Sequence, residues 1–287
     1  MVIVHITGGL GNQMFQYACA RRLAHVNGGI LKLDITSFGK IKETNTSRQY
    51  ELGALNIIKD FAAPEEVERL KKNAKGFLGF FGMGGKTYIR ERHYRFDSEI
   101  LNLRGSVYLE GYWQSEKYFK DIEDVIRKDF TFKTEPGGIN GKIAKAVSNA
   151  ESVSVHIRRG DYVANPKVNR DFGVCPPEYY KVAIEKIAEK VKDPRFFVFS
   201  DDIAWAKENL KITHPVNFMD QNGPDKAYED MRLMSLCKHH VIANSSFSWW
   251  GAWLCKNPKK IVIAPEKWFN KKELDTRDLI PEKWIRV

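Results

Sequence analysis

The sequence predicts an α/β protein built on parallel sheets, and three observations carry that prediction. Short β-branched apolar runs alternate with stretches of helical periodicity through the second half of the chain. The N-terminus opens on a strand, a glycine-rich turn, a helix and a second strand, which is how a parallel unit starts. The 287 residues exceed a usual single core, so one large domain or two medium ones is expected. Pro and Gly cluster at Glu135-Pro136-Gly137-Gly138, between two periodic segments, so the expected division is 1–136 and 137–287.

Residues 2–6 form the first apolar run, read as a buried strand, and Gly8-Gly9-Leu10-Gly11 follows as a tight turn. From Asn12 to His25 the residues Met14, Phe15, Ala18, Leu23 and Val26 mark helical spacing. Gly28-Gly29 supplies the stop, and 30–34 reads as the second strand. The pattern is less regular from about 35 to 115. A helix is expected from Pro64, with Glu65 and Glu66 in its first turn and Lys71, Lys72 and Lys75 in its last, matching the helix dipole. Residues 77–86 read as a Gly/Phe-rich loop, 107–110 as a strand and 115–128 as a helix. Beyond the linker, strands are expected at 153–157, 196–199, 216–218, 241–243 and 261–264, and helices at 177–191, 202–210, 224–237 and 247–256. Parallel strands so spaced need crossover helices, which gives a doubly wound sheet. Two such units are expected to leave a cleft, where ligands usually bind.

Composition excludes several classes. Hydrophobic residues at 43% and charged residues at 29% do not fit a disordered chain. The net charge of +10 invites a polyanion, but it divides as +4 and +6 between halves split at residue 137, which weakens a nucleic-acid reading. Cys19, Cys175, Cys237 and Cys255 form no C-x-x-C pair, so reduced thiols are expected rather than a zinc site or a disulfide framework. No signal-peptide pattern and no apolar run near the ~18 residues of a membrane span occur, so a soluble cytoplasmic protein is expected.

Two motifs are decoys. Gly85-Lys86-Thr87 ends like a P-loop, but that motif wants glycine at position 80, where Phe stands. Gly9-Leu10-Gly11-Asn12-Gln13-Met14 resembles a dinucleotide fingerprint, with Asp34 at the acidic offset, yet Met14 replaces the third glycine. The tight turn stands and the NAD inference is weak. No D-x-D occurs, Asp201 and Asp202 are adjacent instead, and no H-x-x-x-H pair exists, so no metal is expected.

The chemistry concentrates in two stretches. The run His156-Ile157-Arg158-Arg159-Gly160-Asp161-Tyr162 closes a predicted strand and sends His156 and Arg158 to one side at its carboxyl end, where ligands of doubly wound sheets sit. A guanidinium there offers bidentate bonds to phosphate oxygens; a strand-end salt bridge is the competing reading. Arg159 is expected to point the other way, Gly160 permits a sharp turn, and Asp161 is a candidate to orient an arginine. The second stretch runs from Asn244-Ser245-Ser246-Phe247 to Leu254. Small hydroxyl residues there meet a helix start, where free N–H groups and the dipole favour an anion. An ordinary serine N-cap before a tryptophan-rich core helix is the alternative. Asn244-Ser245-Ser246 and Asn45-Thr46-Ser47 are formally glycosylation sequons.

Together with Gly8 to Ala18, these stretches resemble the three signature segments of α-1,2-fucosyltransferases, glycosyltransferase family 11. Leu109 to Gln114 with Tyr118-Phe119, and Phe199-Ser200-Asp201-Asp202, are lesser matches, and the resemblance runs in order from residue 2 to about 265. It implies a GT-B-like fold of two Rossmann-like domains facing across a cleft, acceptor side first and donor side second. It implies an inverting transfer of L-fucose from GDP-β-L-fucose to the 2-hydroxyl of a terminal β-galactoside, without metal or cofactor. By the same resemblance Arg158 is expected on the β-phosphate and leaving group, with His156 near the nucleotide. Asn244, Ser245, Ser246 and Phe247 are expected around the diphosphate, Asp230 at the nucleobase, and Asp201 and Asp202 near the guanosine. Asn12, in the turn of Gly9 and Gly11, is expected to face the sugar. Asp161 is a candidate orienting residue, and Asp34, Glu110 and His5 are weaker candidates for a base. Partners are then GDP-fucose and a β-galactoside acceptor, with no nucleic acid and at most peripheral contact with the inner face of a membrane. A fucosyltransferase of another linkage, α-1,6 or O-linked, and a basic nucleic-acid-binding module are the alternatives.

Overall fold

The computed structural model describes residues 1–38, 48–73, 87–271 and 273–287, with the side chain of Asp161 left aside. Lys75, the 77–86 loop, the Gly85-Lys86 pair and the Asn45 sequon lie outside the described residues. The chain divides into two compact units: Met1–Lys133 with Asp275–Leu279, and Thr134–Leu274 with Ile280–Val287. A single cut at 136 therefore has no place for the short return of 275–279 to the first unit.

The first unit holds a four-stranded sheet in the order β2-β1-β4-β3, from β1 (Val2–His5), β2 (Leu31–Asp34), β3 (Tyr88–Arg90) and β4 (Val107–Glu110). All of its pairings are parallel. Val2, Ile3 and Val4 are buried in succession, as a parallel strand covered on both faces requires. Between β1 and β2 runs α1 (Leu10–Val26), starting two residues before the expected Asn12. Its entry turn depends on Gly8, at φ +77°, where a Cβ would lie 2.8 Å from Asn12 Nδ2. Gly9 is the extended N-cap and Gly11 already lies inside the helix, so the turn's conformational demand falls on a glycine next to the pair expected to bear it. Pro64 opens α2 (Pro64–Asn73) as expected. The expected 115–128 helix is instead two 3-10 turns, Glu116–Tyr118 and Lys120–Ile122, followed by α3 (Glu123–Asp129).

The second unit holds a six-stranded, all-parallel sheet in the order β10-β9-β8-β5-β6-β7. Its strands are β5 (Glu151–Ile157), β6 (Pro194–Ser200), β7 (Val216–Met219), β8 (His239–Val241), β9 (Val262–Ala264) and β10 (Ile285–Arg286). Its helices are α4 (Gly138–Ser148), α5 (Gly160–Ala164), α6 (Pro166–Phe172), α7 (Pro177–Ala188), α8 (Ile203–Asn209), α9 (Ala227–Leu236) and α10 (Ser246–Leu254). Val153, Val155, Phe196 and Val198 pack with α7 and α8 on one face, and Phe197 and Phe199 pack with α4 and α9 on the other. The sheet is doubly wound. Trp249, Trp250 and Trp253 of α10 are buried core residues. Gly251 lets α10 approach α9, because a Cβ there would sit 3.0 Å from Met234 Cβ. Lys260 Nζ donates to the carbonyls of Ala252, Trp253 and Cys255 and so satisfies the C-terminal end of the same helix. The four cysteines are buried free thiols. Among the described residues no helix is long and apolar enough to cross a membrane.

Gly8→Ala forces a side chain into positive φ and onto Asn12. Its expected cost is about 1–2 kcal/mol of stability, read as a lower urea midpoint; an unchanged midpoint would contradict this account of the turn.

Candidate active site

In the second unit the chain runs outward from β5 through β6 and β7, then returns to lay β8, β9 and β10 on the other flank. That is the strand order of a dinucleotide-type fold, with its reversal between β5 and β8, where such sheets open a crevice at their carboxyl ends. The end of β5 delivers His156 and Arg158. The chain beyond β8 delivers Asn244, Ser245 and Ser246, and the end of β6 delivers Asp201 and Asp202.

Register decides which of these side chains meet. Strands β5 and β6 pair with Ile157 opposite Ser200, so the next two positions set Arg158 beside Asp201 and Arg159 beside Asp202. Arg158 Nη1 lies 2.7 Å from Asp201 Oδ2, and Arg159 Nε lies 3.1 Å from Asp202 Oδ2. Asp201 Oδ1 also accepts from the Arg159 backbone N–H at 2.8 Å. Asp202 Oδ1 accepts from Trp205 N–H and caps α8, while the Arg159 guanidinium lies 3.9 Å from the Trp205 ring centroid. Gly160 makes the first pair possible: a Cβ there would sit 2.6 Å from Asp201 Oδ2. Its requirement is close approach rather than an unusual φ. Both carboxylates, expected near the guanosine, are here engaged by the arginine pair. Asp201 thus orients Arg158, and the backbone of Asp161, the candidate orienting residue, lies in α5.

His156 is 6% exposed, and its Nδ1 has no hydrogen-bond partner among the described residues. Burial, with the charge of Arg158 in second place, pushes its pKa down to about 3, so the imidazole is neutral at physiological pH. The ring faces Phe247, with centroids 5.5 Å apart. Leaving a buried ring nitrogen unpaired costs about 1–3 kcal/mol, a cost that a ligand group at this end of the strand would relieve.

The Asn244 stretch divides its work. Ser245 is the N-cap of α10, its Oγ accepting from Phe247 N–H at 3.3 Å, and Ser246 opens the helix with its N-terminal dipole. Asn244, expected on the donor, is 3% exposed, and its Nδ2 donates to the carbonyls of Phe172, Gly173 and Trp268, each at 3.1 Å. An amide so occupied fastens segments around the site rather than presenting itself to a ligand. Asp230 lies on α9, where Asn222 Nδ2 donates to it at 2.7 Å. Asn140 and Gln221 extend that contact into an amide cluster. Burial raises the Asp230 carboxyl to about 6 against the pull of Asn222. Sequence reasoning missed these amides; the only signal for them is Gln221-Asn222 just past a predicted strand.

In the first unit, Asn12 Oδ1 accepts from Gln114 Nε2 at 2.7 Å. Gln13 Nε2 donates to the carbonyls of Gly8 and Gln49, fixing the glycine turn. Asp34 accepts from Tyr108 and Thr36; burial opposes ionisation, but these bonds outweigh it and hold the carboxyl below its usual range. Glu110 accepts from the Tyr88 hydroxyl at 2.7 Å. Among the described residues no cluster of three His, Cys, Asp or Glu side chains could hold a metal ion.

Comparison with known proteins gives a consistent picture. The model of a family described as Glycosyl transferase family 11 matches residues 83–287. An alpha-1,2-colitosyltransferase of Escherichia coli is 37% identical over 100% of this chain and 99% of its own length. The O-antigen biosynthesis glycosyltransferase WbnK of Escherichia coli is 35% identical over 98% of this chain and 99% of its own. Among solved structures, a variant of Arabidopsis thaliana FUT1 in complex with GDP matches with a TM-score of 0.54 at 13% identity, covering 98% of this chain and 75% of that one. That likeness is one of fold, and the α/β, GT-B-like class expected from the sequence is the class found.

Asp201→Asn and Gly160→Ala disturb the same contact, so each is expected to cost about 1 kcal/mol, and the double variant little more than either. Urea denaturation of the full cycle tests this, and full additivity would mean that the glycine serves something else.

Proposed function

Because this chain belongs to glycosyl transferase family 11, we propose that it moves L-fucose from GDP-β-L-fucose to the 2-hydroxyl of a terminal β-galactoside, inverting to an α-linkage without a metal. The observation that carries the reading is Arg158, a guanidinium at the carboxyl end of β5 braced by Asp201 at 2.7 Å. Beside it stands the buried His156, whose Nδ1 has no partner among the described residues.

The chemistry follows from charge. As the bond to GDP breaks, positive charge grows at the anomeric carbon and negative charge on the diphosphate. Arg158 cannot lose its proton, and the N–H groups at the start of α10 are fixed dipoles; both oppose the leaving group's charge without reorganising. His156, neutral, offers a hydrogen bond to the nucleotide. Ser245, Ser246 and Phe247 line the diphosphate. Asp230 suits the N1–H and N2–H edge of guanine, which a carboxylate accepts only when ionised.

One observation favours a second donor. The colitosyltransferase relative is 37% identical over the whole chain, and colitose is L-fucose without its 3-hydroxyl. Under that reading the same site takes GDP-colitose. The O-antigen relative favours a surface polysaccharide or lipid-linked repeat as the acceptor, which fits a cytoplasmic enzyme with at most peripheral membrane contact.

Incubation with GDP-fucose or GDP-colitose and a panel of β-galactosides, read by mass and linkage, is expected to give an α-1,2-fucosylated product. An α-1,3 or α-1,6 bond, or transfer from GDP-colitose alone, would overturn the proposal. Arg158→Ala is expected to lower kcat by about 10²–10³ in a folded protein, and EDTA to leave the rate unchanged. GDP binding is expected to weaken as pH falls from 7 to 5 and the Asp230 carboxyl, raised to about 6, takes up its proton. Titration calorimetry of the wild type against Asp230→Asn isolates that component from the protonation of GDP itself.

A further inference from the structure

At the carboxyl ends of β3 and β4 the first unit builds a surface feature that its core does not require. Strand β3 runs out into Glu91-Arg92-His93-Tyr94, and β4 into Gly111-Tyr112-Trp113-Gln114. Tyr94 and Tyr112, one from each segment, stand with their rings 8° from parallel and centroids 6.2 Å apart. Both are half-buried, and exposed Arg92 and His93 flank them.

The Tyr112 segment is held at a cost. Trp113 adopts φ +56°, a region that bulky residues rarely occupy, and its buried indole Nε1 has no acceptor among the described residues. Glu91 receives the backbone N–H groups of Tyr112 and Trp113 at 2.6 and 3.0 Å, although burial pushes its carboxyl above the usual range. Gly111 admits this contact, since a Cβ there would lie 2.3 Å from Glu91 Cβ. Strain, a half-buried carboxylate and an orphaned indole together are a cost of the kind stored where geometry serves binding. The result is a fixed tyrosine ring two residues from Gln114, whose Nε2 holds Asn12 and whose buried Oε1 has no partner among the described residues.

We propose that Tyr94 and Tyr112 form a saccharide-stacking subsite that takes the pyranose on the reducing side of the acceptor galactoside. The inference rests on the glycosyl-transfer reading above. A pyranose has one face rich in C–H groups and a rim of hydroxyls. A tyrosine ring with a polar tip matches both, and a rigid pair offers contact area with little entropy to lose. The Tyr112 hydroxyl makes no hydrogen bond among the described residues, so it can meet the sugar's rim. The acceptor then needs at least two sugar rings for full affinity.

The test compares Tyr112→Ala, Tyr94→Ala and Tyr112→Phe with wild type on two acceptors, a β-galactosyl disaccharide and methyl β-galactoside. Each alanine variant is expected to raise KM for the disaccharide about tenfold, the scale of one lost stacked ring. KM for methyl β-galactoside and for the donor is expected to change less than twofold, and Tyr112→Phe to keep most of the affinity. Stabilisation by GDP in a thermal melt checks that each variant is folded. An unchanged disaccharide KM overturns the proposal, and so does a raised donor KM, which would assign the rings to the nucleotide. Ligand-observed NMR of disaccharide binding with GDP present needs no turnover. Absence of transfer by wild-type protein would therefore sink the proposed activity, while loss or retention of binding in Tyr112→Ala still decides this subsite.

Discussion

The ion pair between Arg158 and Asp201 is the contact on which the rest of the candidate site in the second unit depends, and it is a consequence of register. Parallel pairing of β5 with β6 continues past the last ladder position, so two adjacent arginines meet two adjacent aspartates in order. A slip of one residue would turn every side chain to the opposite face and leave one arginine without an aspartate opposite it. The alternation of buried residues along both strands forbids that slip, because Val153, Val155, Phe196 and Val198 share one core and Phe197 and Phe199 another. Hydrophobic packing thus sets an electrostatic arrangement several residues away. The division of labour is clear: Asp202 and Trp205 immobilise Arg159, while Asp201 steadies Arg158 in a position still 22% exposed by its side chain.

The glycine turn of the first unit is fixed by a different route. Side-chain amides do the work: Gln13 bonds the carbonyls of Gly8 and Gln49 and accepts from Glu51 N–H, and Gln16 accepts from Thr7 N–H. Buried amides satisfy both donor and acceptor demands of a tight turn, which a carboxylate or an ammonium alone cannot do. This explains why so polar a run as Asn12-Gln13-Met14-Phe15-Gln16 lies within a helix whose other neighbours are apolar.

Much of the fold was legible because apolar runs and their spacing report burial directly, and the strands from β5 to β9 emerge within two residues of their expected limits. What escaped was short or peripheral. The three-residue β3 and the two-residue β10 are too brief to show a period, and α4 begins at the Gly137-Gly138 pair that reads as linker. The 115–128 segment keeps helical composition but breaks into 3-10 turns, with Ser115 capping the first of them. For the candidate site, residue types and strand ends could be read, but partners could not. Spacing gives no register, so it hid Asp201 behind Arg158. Nor does it reveal that an asparagine beside two serines has spent its amide on three carbonyls.

That asparagine carries a consequence for how the protein can be made. Asn244 begins a sequence that a glycosylating host reads as an attachment signal, and the nitrogen that would bear the glycan sits 3.1 Å from three main-chain oxygens. The folded chain buries the asparagine of that signal. Only an unfolded chain could be modified there, and a sugar on that nitrogen would remove a donor, add bulk to a buried joint and keep Phe172, Gly173 and Trp268 from closing around it. Production in a secretory host would therefore set folding in competition with glycosylation at one atom, whereas a bacterial cytoplasm without such machinery imposes no such race.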